Sequence, residues 1–368
     1  DFQMVVASVQ SVFPHVTLWE TISGDCLILA GKKPIVFDVE RIQKKIEALP
    51  LLREDLKRFE IIGAGGLLSH FRLGESDVRN FTEDALLNTD NYLSLEFTAP
   101  KTLYENTIQD IQNFINTYKK DTYPRLSPAG FKIEGNSKVL ADLGQSYLES
   151  GAAQKAREYA EKALKLNPAN SDAAVTLART YLNDNSYVKA ISLLEKQTSF
   201  IGQRHLSWAF FLIGDNERAL TALAAAEAMD KKDKMLYSLK GDILAKMEKH
   251  GEAAQAYKAS INLDASNPTV HLRYYDNLVK AGGGKEAMAG LDALRKKHPA
   301  YYPVYVQMFE IAEKGGDLNT PINAYEELVS LNPYNRIYWI DLAELYKKAG
   351  DPKKAAAVMK EAYKLRPY

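Results

Sequence analysis

The 368-residue chain has a single cysteine, Cys26, so it can form no internal disulfide and offers no cysteine-based metal site. It has no surplus of either charge, with 47 Lys and Arg against 47 Asp and Glu. That balance argues against a nucleic-acid coat or a polybasic membrane binder. No apolar run approaches the ~20 residues that span a bilayer, so no direct membrane insertion is expected. The opening residues do not read as a secretory leader. The six histidines are isolated, without metal-ligand spacing, so neither a metal nor a cofactor is expected. What remains, 46% hydrophobic and 26% charged, suits a folded protein of two or three domains. One cysteine fits a reducing compartment, and a cytoplasmic location is the expectation.

Charge and tyrosine are unevenly spread. Residues 1–130 carry 14 basic and 18 acidic side chains, a net of −4, and the rest of the chain carries +4. Only four of the 21 tyrosines fall in that first segment. The composition changes around residues 121–136, where prolines, glycines and polar residues cluster as in a linker.

Beyond that point the sequence repeats itself. Pro299, Pro333 and Pro367 stand 34 residues apart, as do Gly282, Gly316 and Gly350, and Leu294, Leu328 and Ala362. Residues 336–367 place Trp339, Leu342, Ala343, Tyr346, Gly350, Ala355, Met359, Ala362 and Pro367 in a pattern that resembles a tetratricopeptide repeat, a 34-residue pair of helices. Carried backwards, the frame gives starts at Arg336, Tyr302, Pro268, Lys234, Phe200, Ser171 and Ser137, with one short step of 29 residues from Ser171 to Phe200. The short step predicts a shortened second helix or a tight turn near Phe200–Gly202. Pro321 occupies a small-residue slot of the sixth repeat and predicts a late start for its second helix. Small residues at Gly144, Ala178, Ser207, Gly241 and Ala343 allow helices to approach, and Tyr147, Tyr181, Phe210 and Tyr346 fill the gaps. Turns are expected near Gly151, Gly214, Gly282, Gly316 and Gly350.

The expected fold is therefore mostly α: a seven-repeat α-solenoid with a small α+β N-terminal domain. Its expected parts are 1–126, a linker at 127–136, and repeats at 137–170, 171–199, 200–233, 234–267, 268–301, 302–335 and 336–368. Each helical pair leaves an apolar face that the next one covers, and the first helices line a concave groove. In the last four repeats an acid precedes a lysine by four residues: Asp242–Lys246, Asp276–Lys280, Glu310–Lys314 and Glu344–Lys348. These are either self-stabilised solvent-facing pairs, worth ~0.2–0.5 kcal/mol each, or a polar ladder for an extended peptide. Near the short repeat, Arg179, Arg204, His205, Trp208 and Phe211 form the candidate partner-binding group, since Arg and Trp are frequent at binding hot spots. They predict a positive, aromatic half-groove for an acidic or aromatic peptide. The alternative is that Trp208 and Phe211 fill core lost to the deletion. The clamp with which related domains hold chaperone tails is not met, because its slots hold Ala141 and Gln145.

Ahead of the repeats, residues 1–13 place Phe2, Val5, Val6, Val9, Val12 and Phe13 on one helical face. VTLWET, CLILAG and PIVFD read as extended, with a hairpin around Ser23–Gly24–Asp25. Helices are expected at about 39–48, 51–60, 64–72 and 75–85. An extended segment at 88–100 should precede a helix whose Ile108, Ile111, Phe114 and Ile115 point inward. SVFPHVTLWETISGDCLILAG resembles the last helix and terminal strands of spermidine synthase-like proteins. LLNTDNYLSLEFTAPKTLYEN resembles the tail of a bacterial subfamily, with Asn91 and Leu93 in place of its usual Asp and Pro. The resemblance spans roughly residues 1–105 and implies the end of a Rossmann-like synthase fold. Its cofactor loop and catalytic acids would lie before Asp1, so this chain is expected to be a non-catalytic piece of a longer parent. Some members of that family carry a membrane-spanning region, which makes a membrane-tethered parent compatible with the resemblance.

Two glycine clusters do not make nucleotide loops. Gly63-Ala64-Gly65-Gly66 lacks the third spaced glycine, where Leu68 stands. Gly282-Gly283-Gly284-Lys285 is followed by Glu286 and lacks the first glycine, where Val279 stands. Asp90 and Glu96 stand six apart on an extended stretch and do not read as a catalytic pair; Asp90 reads as a capping or turn residue. The function expected is a protein-interaction scaffold that binds a protein or peptide partner and no nucleic acid. The alternative is the C-terminal part of an aminopropyltransferase-like enzyme. A third reading, a purely structural stacking module, implies self-association.

Overall fold

The computed structural model describes residues 2–20, 25–89, 108–120, 122–128, 130–315 and 317–365. Polar caps recur in it with the period of the sequence. Asn136 accepts from Val139 N at 3.1 Å, Asn170 from Ala173 N at 3.0 Å, Ser199 from Gly202 N at 3.2 Å, Asp233 from Met235 N at 2.7 Å, Asn267 from Thr269 N at 3.0 Å and Asn335 from Ile337 N at 3.0 Å. Each satisfies a helix-end N–H that no carbonyl can reach. Helices accordingly start at Ser137, Ser171, Phe200, Lys234, Pro268, Tyr302 and Arg336, the seven starts of the repeat frame.

The six first helices whose exits are described end in the same kind of turn. Gly151, Gly214, Gly282 and Gly350 have φ between 78° and 93°, and Asn185 and Glu248 stand at 57° and 61° in the corresponding slots. The next amide then bonds back to a carbonyl of the last helical turn: Ala152 to Tyr147, Ser186 to Tyr181, Asp215 to Phe210, Lys249 to Leu244, Gly283 to Leu278 and Asp351 to Tyr346, all at 2.8–2.9 Å. This is the left-handed helix exit that glycine adopts without strain. Gly316 lies outside the described residues. The second helices begin at Ala153, Tyr187, Asn216, His250, Gly284, Asn319 and Pro352. The sixth starts one position later in its frame than the others, with Pro321 in its first turn.

The contacts divide the chain into two compact units, Asp1–Gln197 and Thr198–Tyr368. In the first, α1 (Phe2–Val12) leads to β1 (His15–Glu20), which pairs antiparallel with β2 (Cys26–Gly31). The other edge of β1 pairs with β4 (Phe71–Leu73), and β3 (Phe37–Asp38) pairs in parallel with β5 (Leu126–Ser127). The short helices are α2 (Val39–Ala48), α3 (Pro50–Arg58), α4 (Gly63–Leu68), α5 (Glu75–Thr82) and α6 (Ile108–Tyr118). Alternation along β1 serves two cores. Val16 and Leu18 join Val6, Leu73, Val78, Phe81 and Ile115. Trp19 joins Phe37, Leu68 and Phe71 together with Leu140 and Leu143 of the first repeat.

Three expectations change here. The helix expected at 64–72 ends at Leu68, because Phe71 and Leu73 turn inward as a strand on β1. Of PIVFD only Phe37–Asp38 is strand. Phe114 is exposed, while Ile115 of the same helix is buried. The tip of the hairpin at Ser23–Gly24 and the extended segment at 90–100, with Asp90 and Glu96, lie outside the described residues.

The first two repeats complete this unit with α7 (Ser137–Glu149), α8 (Ala153–Leu166), α9 (Ser171–Asn183) and α10 (Tyr187–Leu194). The last is eight residues long against fourteen for α8, which is where the five missing residues went. The chain turns through 195–199, and Phe200–Gly202 already belong to the next helix. The Gly63–Gly66 cluster is a packing device: a Cβ on Gly65 would strike the Val139 carbonyl oxygen, and one on Gly66 the Ser146 hydroxyl. Asp142 faces the same contact, is 2% exposed and holds Lys138 at 2.6 Å. Burial outweighs that lysine and pushes its carboxyl up to about 6.

The second unit contains α11 (Phe200–Ile213), α12 (Asn216–Met229), α13 (Lys234–Lys246), α14 (His250–Leu263), α15 (Pro268–Lys280), α16 (Gly284–Lys297), α17 (Tyr302–Gly315), α18 (Asn319–Leu331), α19 (Arg336–Lys348) and α20 (Pro352–Lys364). Its tyrosines explain their uneven distribution in the sequence. Tyr257, Tyr305 and Tyr325 are buried between helices, and their hydroxyls reach Asp242 at 2.6 Å, the Pro299 carbonyl at 3.0 Å and Asp341 at 3.2 Å. The small slot at Gly241 exists for one of them, since a Cβ there would lie 2.6 Å from the Tyr257 ring.

Two expected outcomes follow from these turns and this buried acid. Glu248→Gly removes a non-glycine residue from the left-handed region and should raise stability by roughly 0.5–1 kcal/mol in urea unfolding; a lower midpoint would contradict the strain. Asp142 binds its proton more tightly folded than unfolded, so its contribution is full below about pH 4 and is lost as pH rises through 6. Asp142→Asn should remove that loss, on the order of 3 kcal/mol. Denaturation midpoints measured from pH 3.5 to 7 check it, and an unchanged slope in the variant counts against it.

Candidate functional site

Helical spacing places Arg204, His205 and Trp208 on one face of α11, at the fifth, sixth and ninth positions of the third repeat. The next repeat offers Ser238, Leu239 and Asp242 at the same positions of α13, and Arg273 on α15 continues the row. Together with Lys234, Met235 and Val270 these residues line a cavity of about 400 Å³ across three successive first helices. Its size lies within the range of small-ligand and side-chain pockets.

Trp208 is 38% exposed, and its ring lies 5.5 Å from that of Phe211. The inward positions of the same helix are Leu206, Ser207, Ala209 and Phe210, all buried. Phe211 is half-buried and lies under Lys246, whose Nζ stands 5.0 Å from its ring. Phe210, not Trp208, is the aromatic that fills the core of this repeat.

The charges are paired across repeats. Arg204 meets Asp233 at 2.6 Å, Lys234 meets Asp264, and Arg273 makes two 2.9 Å bonds to Asp242. Asp233 does two things at once, since it also caps α13. The hydrogen bond from Lys234 holds the Asp264 carboxyl well below the usual range. Asp242 accepts the Tyr257 hydroxyl as well, and burial, followed by that bond, pushes the phenol up.

The free positive surplus expected here is therefore absent among the described residues for Arg204, Lys234 and Arg273, because an acid from a neighbouring helix or cap meets each. Arg179 belongs to the first unit, where its guanidinium bonds both carboxylate oxygens of Glu149, at 2.6 and 3.2 Å. The acid–lysine ladder is partly rearranged. Asp276–Lys280 forms at 2.8 Å and Glu344–Lys348 at 3.3 Å, but Asp242 turns to Arg273 and Lys246 to the Phe211 ring. Lys234, Met235, Ser238 and Arg273 were not singled out from sequence. The signal that finds them is the repeat frame itself, applied to the fourth and fifth repeats.

Comparison with known proteins agrees with this architecture. Two family models, both described as Tetratricopeptide repeat, match residues 135–200 and 193–368. Residues 135–368 thus belong to the tetratricopeptide repeat family. BBSome complex member BBS4 of Bos taurus is 25% identical over 269 residues, covering 61% of this chain and 50% of the relative. The chain therefore spans about half the length of that curated relative. Similar solved structures include a tetratricopeptide repeat protein from Parabacteroides merdae, 12% identical over 63% of this chain and 93% of that one, with a TM-score of 0.44. Another is pilF of Pseudomonas aeruginosa, 20% identical over 58% and 97% of the two chains, also with a TM-score of 0.44. No helix among the described residues is long and apolar enough to cross a membrane.

Proposed function

We propose that this chain is a non-catalytic protein-interaction scaffold and that the first helices of repeats three to five hold a segment of its partner. The observation that supports this reading is Trp208, a large aromatic left half-open on the rim of a cavity that successive repeats build. An aromatic side chain supplies buried area at low entropic cost, and Arg204 beside it can orient a polar backbone. Because the cations of the site already hold acids, the anchor of the bound segment is aromatic or apolar rather than acidic. Met235 and Val270 offer its apolar wall. A relative named as the member of a complex is consistent with a scaffold. The single cysteine favours a cytoplasmic setting for it.

A second reading concerns residues 1–105, whose resemblance to spermidine synthase-like proteins would make this chain the C-terminal part of an aminopropyltransferase-like enzyme. The helix α1 followed by the antiparallel β1–β2 pair supports it, because the resemblance implies that order.

Panning a displayed peptide library against the full chain tests the main reading. Selected peptides should carry an aromatic anchor. Trp208→Ala should weaken them about 30-fold, on the order of 2 kcal/mol, while Tyr363→Ala on the last helix leaves them unchanged. If the Trp208 variant binds normally but melts early, the residue is a packing group and the site is elsewhere.

A further inference from the structure

The first unit holds a second cavity, of about 770 Å³, that shares no residue with the groove of the second unit. It is lined by Glu20 and Cys26 of the β1–β2 pair, by Leu68, Ser69 and Arg72, by α6 and the segment after it, and by the first repeat's α7 and α8. Four cations line it, Arg72, Lys119, Lys120 and Lys155, against two acids, Glu20 and Glu158. Arg72 has an acid, with its Nε 2.6 Å from Glu20 Oε2. Lys119 and Lys155 have none within ion-pair distance among the described residues. Lys119 Nζ donates to the Phe71 carbonyl at 3.0 Å and lies 5.6 Å from the Phe71 ring. Lys155 Nζ stands 5.1 Å from the Tyr147 ring. Of the other acids, Glu158 lines the cavity and bonds Lys162 at 2.6 Å, and Asp77 offsets part of the positive field at Lys119.

The opposite wall is aromatic. Tyr147 and Tyr159 stack with centroids 5.4 Å apart, and the Tyr123 and Tyr159 hydroxyls lie 3.2 Å from one another. Burial, followed by the bond to Tyr159, pushes the Tyr123 phenol far up, so it remains a neutral hydrogen-bond donor. Burial, reinforced by Arg72 and Lys155, pushes the Lys119 ammonium down to about 8. A buried amine beside two further cations is stabilised by an anion placed between them. The volume suits a ligand the size of a mononucleotide, with room for more than a bare ion.

We propose that this cavity binds a small phosphorylated molecule, with its phosphate held by Lys119 and Lys155 and its organic part laid against Tyr123, Tyr147 and Tyr159. Arg72, fixed by Glu20, adds field rather than a direct bond. Isothermal titration of the full chain with adenosine monophosphate, inorganic phosphate and adenosine tests it. The monophosphate should bind, inorganic phosphate should compete with it, and adenosine should bind at least tenfold more weakly. Lys155 is exposed, so Lys155→Gln should keep the helical circular dichroism and weaken the monophosphate tenfold or more. Lys119→Gln should weaken it further. The assignment is overturned if neither phosphate compound binds, if adenosine binds as well as its monophosphate, or if both lysine variants retain the wild-type affinity.

Discussion

The repeats rest on one geometric constraint: a helix capped by a polar side chain must exit, fourteen or fifteen residues later, through a single left-handed residue. That residue sets the direction of the second helix and therefore which side chains of the pair face each other. Asn170 with Asn185, Ser199 with Gly214, Asp233 with Glu248 and Asn267 with Gly282 are four copies of the same device. Where the device uses glycine it is free of strain. Where it uses Asn185 or Glu248, both exposed, the closing bonds of Ser186 and Lys249 hold a non-glycine residue in that region. Large residues such as Tyr257 fit only because small ones such as Gly241 sit at the matching height on the adjacent helix. The apolar faces then close, and in the third repeat positions five, six and nine, Arg204, His205 and Trp208, stay on the open side of the helix.

That arrangement also explains why the groove is electrically quiet. Arg204 and Asp233 are 29 residues apart in sequence but adjacent in space, because one lies on a first helix and the other caps the next. Arg273 and Asp242 repeat the relation from the fifth repeat to the fourth. Such inter-repeat pairs tie neighbouring repeats together and leave Trp208 and Met235, both uncharged, as open features of the cavity. Half-exposed pairs of this kind are worth ~1 kcal/mol or less each, so they serve register more than stability.

The periodic part of the fold was legible because caps, turns and small residues all carry the same 34-residue phase, and the short step of 29 foretold a short α10. The α+β part was less so. Phe71-Arg72-Leu73 is too brief for a period-two pattern to stand out beside the apolar Leu67–Leu68. Its partner strand β1 lies some fifty residues earlier in the chain. The role of the Gly63–Gly66 cluster, close contact with Val139 and Ser146, was not legible, because it depends on a helix that follows some eighty residues later. At the groove, the slot frame placed Arg204, His205 and Trp208 on one face. It could not show that Arg204 and Arg179 are each engaged by an acid, since those partners belong to neighbouring helices or caps.

The most direct test of this account is to break the phase while changing little else. One alanine inserted after Leu239, inside α13, rotates everything beyond it by about 100° and shifts it by about 1.5 Å. One alanine inserted after Lys231, in the connection ahead of the Asp233 cap, leaves both helices of the repeat in phase. Urea unfolding of the two variants should show the helix insertion losing several kcal/mol and its single cooperative transition, with the loop insertion within about 1 kcal/mol of the wild type. Equal losses in both, or a tolerated insertion in α13, would contradict the claim that cap-to-turn register holds the repeats together.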